Sequence, residues 1–217
     1  MLSTAEENYL KAIYHLSEDG IGPVSTTELA QRMNTSPASI TDMVKRLSAK
    51  NLLHYERYRG VVMTDLGRSG ALGIIRRHRL WETFLVRTLG FRWDEVHDVA
   101  EQLEHVQSGL LVDKLDEFLG RPKADPHGHV IPDHLGHVAT ASQTTLADAP
   151  VGTSLQVESI ADTDPSLLQY LSKVGLYPGT SVLIVDRRSF DGSMEIRIEN
   201  NTSFSISKDA GAKLLVS

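Results

Sequence analysis

The sequence predicts a mainly α part over residues 1–120 and a small all-β barrel over residues 151–217. Helix-capping residues and apolar residues at helical spacing mark the first part. Residues 121–150 have no sustained period, and short apolar runs separated by turn residues follow them. The chain has 217 residues, of which 41% are hydrophobic and 23% charged. This composition is typical of a globular protein of one or two domains.

Capping residues mark three helix starts near the N-terminus, and they predict helices that end near residues 18, 33 and 50. The three starts are the capping boxes Ser3-Thr4-Ala5-Glu6 and Ser25-Thr26-Thr27-Glu28, and Ser36 followed by Pro37. The second and third helices are short and are joined by a tight turn. Two strand-like runs follow them, residues 52–56 and 61–64. This order indicates a winged helix-turn-helix domain over residues 1–64.

The second helix of such a motif enters the major groove of double-stranded DNA, and its N-terminal side chains meet the base edges. The candidates for this role are Ser36, Ala38, Ser39, Thr41, Asp42 and Lys45. Arg57 and Arg59 of the hairpin are candidates for phosphate contacts. Similar three-helix units occur in enzymes and adaptor domains, where the same polar residues form only a solvated face. We favour DNA binding because the helix-turn-helix and a basic hairpin occur in the expected order.

The middle of the chain predicts three further helices, over residues 65–90, about 94–107 and 109–119. They form a helical domain over residues 65–120, and residues 121–150 are interpreted as a partly mobile linker. The barrel of residues 151–217 is predicted from five strand runs with one inserted helix, Pro165–Val174. The strand runs are Ser154–Ile160, Ser181–Asp186, Met194–Ile198, Ser203–Ile206 and Lys213–Val216.

Composition excludes several classes of site and of protein. The chain has no cysteine, which excludes disulfides, thiolate zinc sites, iron–sulfur clusters and cysteine nucleophiles. No run approaches the ~18 apolar residues of a membrane span, and the first residues lack the features of a secretory signal. We therefore expect a cytoplasmic protein that does not bind membranes.

Acids and imidazoles concentrate in the predicted helical domain. Residues 91–120 hold eight acidic and only two basic residues. Six groups have a spacing that places them on helix faces: His78, Glu82, His97, Glu101, Glu104 and His105. Carboxylates close together repel one another, and a divalent cation removes the repulsion, so the pattern predicts a metal site. An amphipathic polar face or a buried His–Glu ion-pair network is the alternative.

The chain resembles the metal-dependent repressors of the diphtheria toxin repressor and manganese transport regulator type over nearly its whole length. The matching segments are Tyr9-Leu10 with Ile13-Tyr14, Ser36–Leu47, Tyr55–Val61, Arg77–Leu80, Val96–Asp98 with Glu104–Val106, and His127-Gly128 with Ile131-Pro132. Gly175–Gly179 within the barrel resembles the SH3-like, FeoA-like domain of the longer members. The resemblance implies a homodimer that forms through residues 65–119, and a metal-activated repressor of metal-uptake genes that binds a palindromic operator.

The resemblance also implies two metal sites in each subunit. The primary site is expected to use Glu101, Glu104 and His105 with Asn8. The ancillary site is expected to use His78, Glu82 and His97 with Asp164 of the barrel. Asn8 stands where the family has Met or Asp, and Lys11 stands where the manganese regulators have Glu. Lys11 therefore argues against their closely spaced pair of metal ions.

Oxygen ligands with imidazole and no sulfur favour hard ions, so we expect Mn²⁺ first and Fe²⁺ second. Zn²⁺, Co²⁺ or Ni²⁺ are expected to substitute in vitro. Two other functions stay open at this point. A winged-helix regulator could respond to an organic effector, and a metallohydrolase could use the same His/Glu set. The sequence contains no hydrolase motif such as H-E-x-x-H, so we expect no enzymatic activity and no small-molecule substrate.

Overall fold

The computed structural model describes residues 2–17, 20–56, 60–139, 142–198 and 203–217. The chain divides into two compact units that interleave along the sequence. The first unit comprises Met1–His78, Leu103–Gln107 and Pro132–His137. The second comprises Arg79–Gln102, Ser108–Ile131 and Val138–Ser217. One boundary between these compact units falls within a helix, between His78 and Arg79.

The first unit contains three helices and a hairpin. Its elements are α1 (Thr4–Leu16), α2 (Thr26–Arg32), α3 (Pro37–Ala49), β1 (Leu53–Glu56) and β2 (Gly60–Met63). β1 and β2 pair antiparallel from Leu53 opposite Met63 to Glu56 opposite Gly60. The turn between them, with Arg57 and Arg59, lies outside the described residues.

The predicted helix starts of the first unit are confirmed. Ser3 and Ser25 each accept a hydrogen bond from the backbone N–H of the glutamate three residues later, and that glutamate accepts one in return. Ser36 caps α3 and accepts from the Ser39 N–H. Apolar side chains of all three helices and of the hairpin share one buried core, which includes Leu10, Ile13, Leu29, Ile40, Val44, Leu47, Leu53 and Val61. Because α1 and α3 share this core, they move as one body.

Helix α4 (Asp65–Leu89) begins in the first unit, to which its residues up to His78 belong. Gly67 in its first turn lies against the backbone of Leu52, where an added Cβ would stand 2.0 Å from the carbonyl oxygen. Only glycine permits the start of α4 to lie so close to the segment before the hairpin.

The second unit holds the remaining elements. They are the rest of α4, α5 (His97–Leu103), α6 (Gly109–Phe118), β3 (Ser154–Ile160), α7 (Pro165–Val174), β4 (Ser181–Arg187), β5 (Met194–Ile198), β6 (Ser203–Ile206), α8 (Lys208–Gly211) and β7 (Leu214–Val216). Leu80 of α4 and Leu115 of α6 are buried together with Ile131.

Helix α5 is shorter than the 94–107 that its periodicity predicts. Continuation beyond Leu103 would use the carbonyl of Glu104 within the helix. In the structure that carbonyl accepts a hydrogen bond from Nε of Arg77, and both residues belong to the first unit. This long-range contact lies directly after the last residue of α5.

The strands of the second unit form one antiparallel sheet in the order β6-β5-β4-β3-β7. Its buried face includes Val157, Ile160, Val182, Ile184, Ile196 and Leu214, and α7 adds Leu168 and Leu171. The five predicted strand runs and the inserted helix Pro165–Val174 are confirmed, and the structure adds the short helix α8, which was not predicted. The fold is a helical N-terminal region followed by a small SH3-like β domain.

Residues 121–150, interpreted from the sequence as a linker, contain side chains that are buried in the second unit. Asp125, His127, Ile131 and Leu146 are among them. Gly128 has φ +87°, and an added Cβ would stand 2.0 Å from the carbonyl oxygen of Glu158 on β3. The turn around Gly128 is thus pressed against the sheet, so this stretch is more than a tether. No helix in the described part of the chain is both long and apolar enough to cross a membrane.

Candidate metal centre

Three segments of the first unit bring charged side chains into one buried group. Helix α1 supplies Glu7 and Lys11, α4 supplies Arg77 and His78, and the segment after α5 supplies Glu104 and His105. We call these six residues the first cluster. Glu7, His78 and Glu104 are buried, so their carboxylates and ring nitrogens must find their hydrogen-bond partners within the protein rather than in water.

One carboxylate oxygen of Glu104 is the meeting point of two side chains in the first cluster. Oε2 of Glu104 accepts a hydrogen bond from Nζ of Lys11 at 2.7 Å and lies 2.6 Å from Nδ1 of His78. Nζ of Lys11 is also 3.4 Å from Nδ1 of His78. Burial raises the pKa of Glu104, but the hydrogen bonds and charges of His78 and Lys11 lower it by more, so the net pKa lies below the usual value.

Glu7 forms the other half of the first cluster. Its Oε2 lies 2.6 Å from Nδ1 of His105, and its Oε1 accepts hydrogen bonds from Arg77 at 2.8 Å and from Gln107 at 3.1 Å. Nε2 of His105 lies 3.8 Å from Oε1 of Glu104, which links the two halves. Asn8, the predicted N-terminal ligand, is exposed on α1, and its neighbour Glu7 faces His105.

The first cluster has the chemistry to hold a divalent cation. It offers two carboxylates and two imidazoles, a donor set that suits Mn²⁺ and Fe²⁺. A cationic group, the ammonium of Lys11, already lies beside the contact between Glu104 and His78. The cluster therefore accommodates positive charge at this point and joins α1 to residues 103–107.

Helices α4 and α5 bring further predicted ligands together in the second unit. Nδ1 of His97 lies 3.5 Å from Oε1 of Glu82, and Nε2 of His97 lies 3.5 Å from Oε1 of Glu101. Glu82 is buried, whereas the side chains of His97 and Glu101 are partly exposed at 40% and 52%. Glu101, predicted for the primary site, is thus placed beside His97, which was predicted for the ancillary site.

A second group in the second unit was not predicted from the sequence. Asp125, His127 and His129 offer ligand atoms that all lie within 4.8 Å of one another. Nδ1 of His127 also lies 3.5 Å from Oε2 of Glu82. We call Glu82, Asp125, His127 and His129 the second cluster. The close approach of Gly128 to β3 fixes the turn that carries both histidines.

The hydrogen bonds of His127 indicate that its Nδ1 is suited to a metal ion. Nε2 of His127 lies 2.8 Å from the carbonyl oxygen of Trp93, and because a carbonyl only accepts, Nε2 carries the proton. Nδ1 is buried and has no hydrogen-bond partner among the described residues. It lies 4.0 Å from Oδ1 of Asp125 as well as near Glu82. A cation at this point would relieve the repulsion between the lone pair and the two carboxylates.

The charges around His127 also affect its own protonation. Burial lowers the pKa of His127, whereas the carboxylates of Glu82 and Asp125 raise it by more, so the net pKa lies above the usual value. A proton and a metal ion therefore compete for the same nitrogen.

Asp164, the predicted ligand of the β domain, begins helix α7. Its Oδ1 accepts hydrogen bonds from the backbone N–H groups of Ser166 and Leu167 at 2.9 and 3.2 Å. These bonds and that of the Ser166 hydroxyl lower the pKa of Asp164. The structure thus gives Asp164 a helix-capping role.

Helix α3 presents the residues that were predicted to meet DNA. Ser36, Ala38, Ser39, Asp42 and Lys45 are exposed, and Thr41 is half-buried. Oγ of Ser36 lies 2.9 Å from Oγ of Ser39, and the Thr41 hydroxyl donates to the carbonyl of Pro37 at 2.9 Å. The exposed side chains of Ser36, Ala38 and Ser39 are short, so the N-terminal end of α3 can approach a groove closely.

Sequence reasoning missed Glu7, Asp125 and His127. A signal for the second cluster was present in Asp125-Pro126-His127-Gly128-His129, which places an acid and two imidazoles around a glycine. Glu7 gave no separate signal, because periodicity does not decide which of two adjacent polar residues a helix turns inward.

Three family models match the chain. They are described as the iron dependent repressor, N-terminal DNA binding domain, over residues 1–61, the iron dependent repressor, metal binding and dimerisation domain, over residues 64–133, and the FeoA domain, over residues 144–217.

Relatives and solved structures similar to the chain agree with these models. The iron-dependent repressor IdeR of Mycobacterium leprae is 31% identical over 82% of both chains. The diphtheria toxin repressor of Corynebacterium glutamicum is 33% identical over 84% of both. A manganese-dependent transcriptional repressor in complex with manganese is 36% identical, covers 97% of this chain and 98% of its own, and superposes with a TM-score of 0.86. ScaR with bound Cd²⁺ is 31% identical over 98% of both chains, with a TM-score of 0.79.

Proposed function

The chain belongs to the iron-dependent repressor family and is a metal-dependent transcriptional repressor, and on that premise we propose how its own residues respond to metal and DNA. A divalent ion, Mn²⁺ first and Fe²⁺ second, orders the chain for binding to a palindromic operator as a homodimer. The target genes are those of metal uptake, and the protein acts in the cytoplasm without catalysing a reaction.

One observation carries this proposal. The first cluster joins α1 to residues 103–107, and α1 shares its buried core with the DNA-reading helix α3. Any change in how Glu7, Lys11 and Glu104 are held therefore reaches α3 through packed side chains. A coupling of about 1–3 kcal/mol suffices for a roughly 5- to 150-fold change in operator affinity.

Metal would be held at two places in each chain. For the primary site we keep Glu101, Glu104 and His105 with Asn8. We add Glu7 to this site, because Glu7 lies beside His105. For the ancillary site we keep His78, Glu82, His97 and Asp164. His127 lies beside Glu82, and Asp125 lies beside His127, which supports adding these two residues to that second site. The ion supplies positive charge that binds carboxylate oxygens and imidazole nitrogens of separate segments.

The donor atoms support the choice of ion. Both clusters offer oxygen and imidazole nitrogen, and the chain has no thiol. This set favours Mn²⁺ and Fe²⁺ in the cell, whereas Zn²⁺, Co²⁺ and Ni²⁺ would bind at least as tightly in vitro. A structural neighbour described as manganese-dependent, in complex with manganese, supports Mn²⁺ as the first choice.

Exposed apolar residues of the helical region support the homodimer. Leu110 and Phe118 of α6 are 73% and 67% exposed, and Leu89 at the end of α4 is 57% exposed. Apolar surface of this kind is typical of a protein interface.

We keep the proposed division into a DNA-binding domain (1–64), a metal-binding and dimerisation domain (65–120), a connecting stretch (121–150) and an SH3-like domain (151–217).

Fluorescence anisotropy tests the proposal. The labelled DNA is a promoter of a metal-transporter gene from the source organism, and the protein is titrated with Mn²⁺, with Fe²⁺ or with a chelator. We expect tight binding with metal only, and the more effective ion identifies the physiological one. Equal binding with metal and with chelator would contradict the metal switch and favour an organic effector.

A further inference from the structure

We propose that Lys11 is a tethered cation that neutralises the Glu104 carboxylate beside His78 when no metal is bound, so that a metal ion must displace its ammonium group. This inference rests on the proposed function in one respect, namely that metal binds Glu104. It adds a residue that sets the affinity of the site.

The ammonium of Lys11 occupies the position that a metal ion bound to Glu104 would take. Nζ of Lys11 is 2.7 Å from Oε2 of Glu104 and 3.4 Å from Nδ1 of His78. Nδ1 of His78 is itself 2.6 Å from Oε2 of Glu104. A carboxylate oxygen only accepts, so Nδ1 of His78 donates to Oε2 of Glu104, and the ammonium donates to the same oxygen, where a metal ion would bind.

Burial makes this contact strong. The side chain of Glu104 is 1% exposed and that of Lys11 is 14% exposed. Water screens such a pair little, so the attraction exceeds that of a surface ion pair. Without the ammonium, Glu104 would be a buried charge with only the imidazoles of His78 and His105 beside it, which is costly.

The charge balance of the first cluster shows why Lys11 is needed there. Glu7 has its own cationic partner in Arg77, at 2.8 Å. Glu104 has Lys11 as its cationic partner at a similar distance. Each buried carboxylate is thus paired by the chain itself, and α1 is joined to residues 103–107 before any metal arrives.

The same arrangement opposes metal binding. A divalent ion on Oε2 of Glu104 and an ammonium on the same oxygen would be a few Å apart and would repel each other. Lysine has a long flexible side chain with a strongly hydrated head, so the ammonium can withdraw to water. Metal binding must break the ion pair between Lys11 and Glu104, and the free energy of that pair lowers the affinity for metal. The site therefore responds only at higher metal concentrations.

The test compares Lys11→Met with wild type in Mn²⁺ titrations against a fluorescent chelator. We expect Lys11→Met to bind Mn²⁺ at least about tenfold more tightly than wild type at the site that contains Glu104. Glu104→Ala identifies this site, because it should abolish binding there. Lys11→Arg, which keeps the charge, should stay near wild type. Lys50→Met is the matched control. Lys50 pairs at 2.7 Å with Glu6, which is on α1 as Lys11 is, and Lys50 lies outside the first cluster. It should leave the metal affinity unchanged.

A second readout does not use metal. In chelator, Lys11→Met should lower the Tm more than Lys50→Met does, because it leaves Glu104 without its cation. Unchanged or weaker Glu104-dependent affinity in Lys11→Met would overturn the tethered cation and leave the proposed function intact. Metal binding that Glu104→Ala does not affect, in either background, would overturn the proposed metal site and this inference together.

Discussion

Oε2 of Glu7 lies 2.6 Å from Nδ1 of His105, although 98 residues separate them in the sequence. This contact joins the first helix of the DNA-binding domain to the segment that follows α5. It also shows that a buried acid of α1 faces the histidine that was predicted to bind metal. Metal binding at the first cluster, as proposed above, would rearrange the charges that hold α1.

Replacement of Glu7 by Gln should destabilise the first unit in the absence of metal. The change keeps the shape but removes the charge that pairs with Arg77 and contacts His105. We expect the free energy of unfolding in chelator to fall by about 1–3 kcal/mol. Urea unfolding followed by circular dichroism measures it. Glu117→Gln is the control, because it removes only an exposed pair with Lys114 and should cost no more than about 0.5 kcal/mol. Equal effects of the two changes would contradict the role of Glu7.

The ionised Glu104 should stabilise the metal-free protein in a defined pH range. Its pKa in the folded chain lies below the usual value of 4.5, because His78 and Lys11 outweigh the effect of burial. Its stabilisation is therefore fully present above about pH 4.5 and is lost as the pH falls through the lower folded pKa. In chelator, the difference in unfolding free energy between wild type and Glu104→Gln should be largest above pH 4.5 and shrink below it. Denaturant titrations from pH 3 to 7 measure this difference, and a difference that is constant with pH would refute the prediction.

Replacement of His127 by Gln should remove one metal ion from each chain. Nδ1 of His127 is the buried nitrogen between Glu82 and Asp125, so its loss leaves the second cluster without its central ligand. We expect the bound Mn²⁺, measured by elemental analysis after dialysis, to fall from two equivalents to one. His134→Gln, at an exposed position, is the control and should keep both ions. An unchanged metal content in His127→Gln would exclude His127 as a ligand.

Charges placed on the exposed apolar side of α6 should separate the dimer. Leu110 and Phe118 lie largely in solvent in the single chain, and a dimer interface would bury them. We expect wild type to sediment at twice the chain mass of 24.0 kDa, and Leu110→Glu with Phe118→Glu to sediment at 24.0 kDa. Phe190→Glu, at an 83% exposed position of the β domain, should remain a dimer. A dimeric double variant would place the interface elsewhere.

Local signals in the sequence predicted most of the elements. Ser3, Ser25 and Ser36 cap their helices as predicted, because a cap needs only residues within one turn. The strands of the β domain were also placed almost to the residue, since alternation of apolar side chains is a short-range pattern. Glu104 and His105 were predicted as a pair and lie in one buried group.

Long-range contacts account for what the sequence did not predict. The end of α5 coincides with a hydrogen bond from Arg77 to the carbonyl of Glu104. The burial of His127 depends on Gly128 lying against Glu158, thirty residues further along the chain. The inward turn of Glu7 rather than Asn8 depends on the rotation of α1 against its neighbours. None of these contacts leaves a periodic pattern in the sequence.

The affinity of the promoter DNA for wild type and for Glu104→Ala, each with saturating Mn²⁺ and with chelator, tests the central claim most directly. We predict that metal raises the affinity of wild type between about 5- and 150-fold. Glu104→Ala should stay at the low affinity of the metal-free protein under both conditions. A full response to Mn²⁺ in Glu104→Ala would contradict the claim that metal acts through the cluster that joins α1 to residues 103–107.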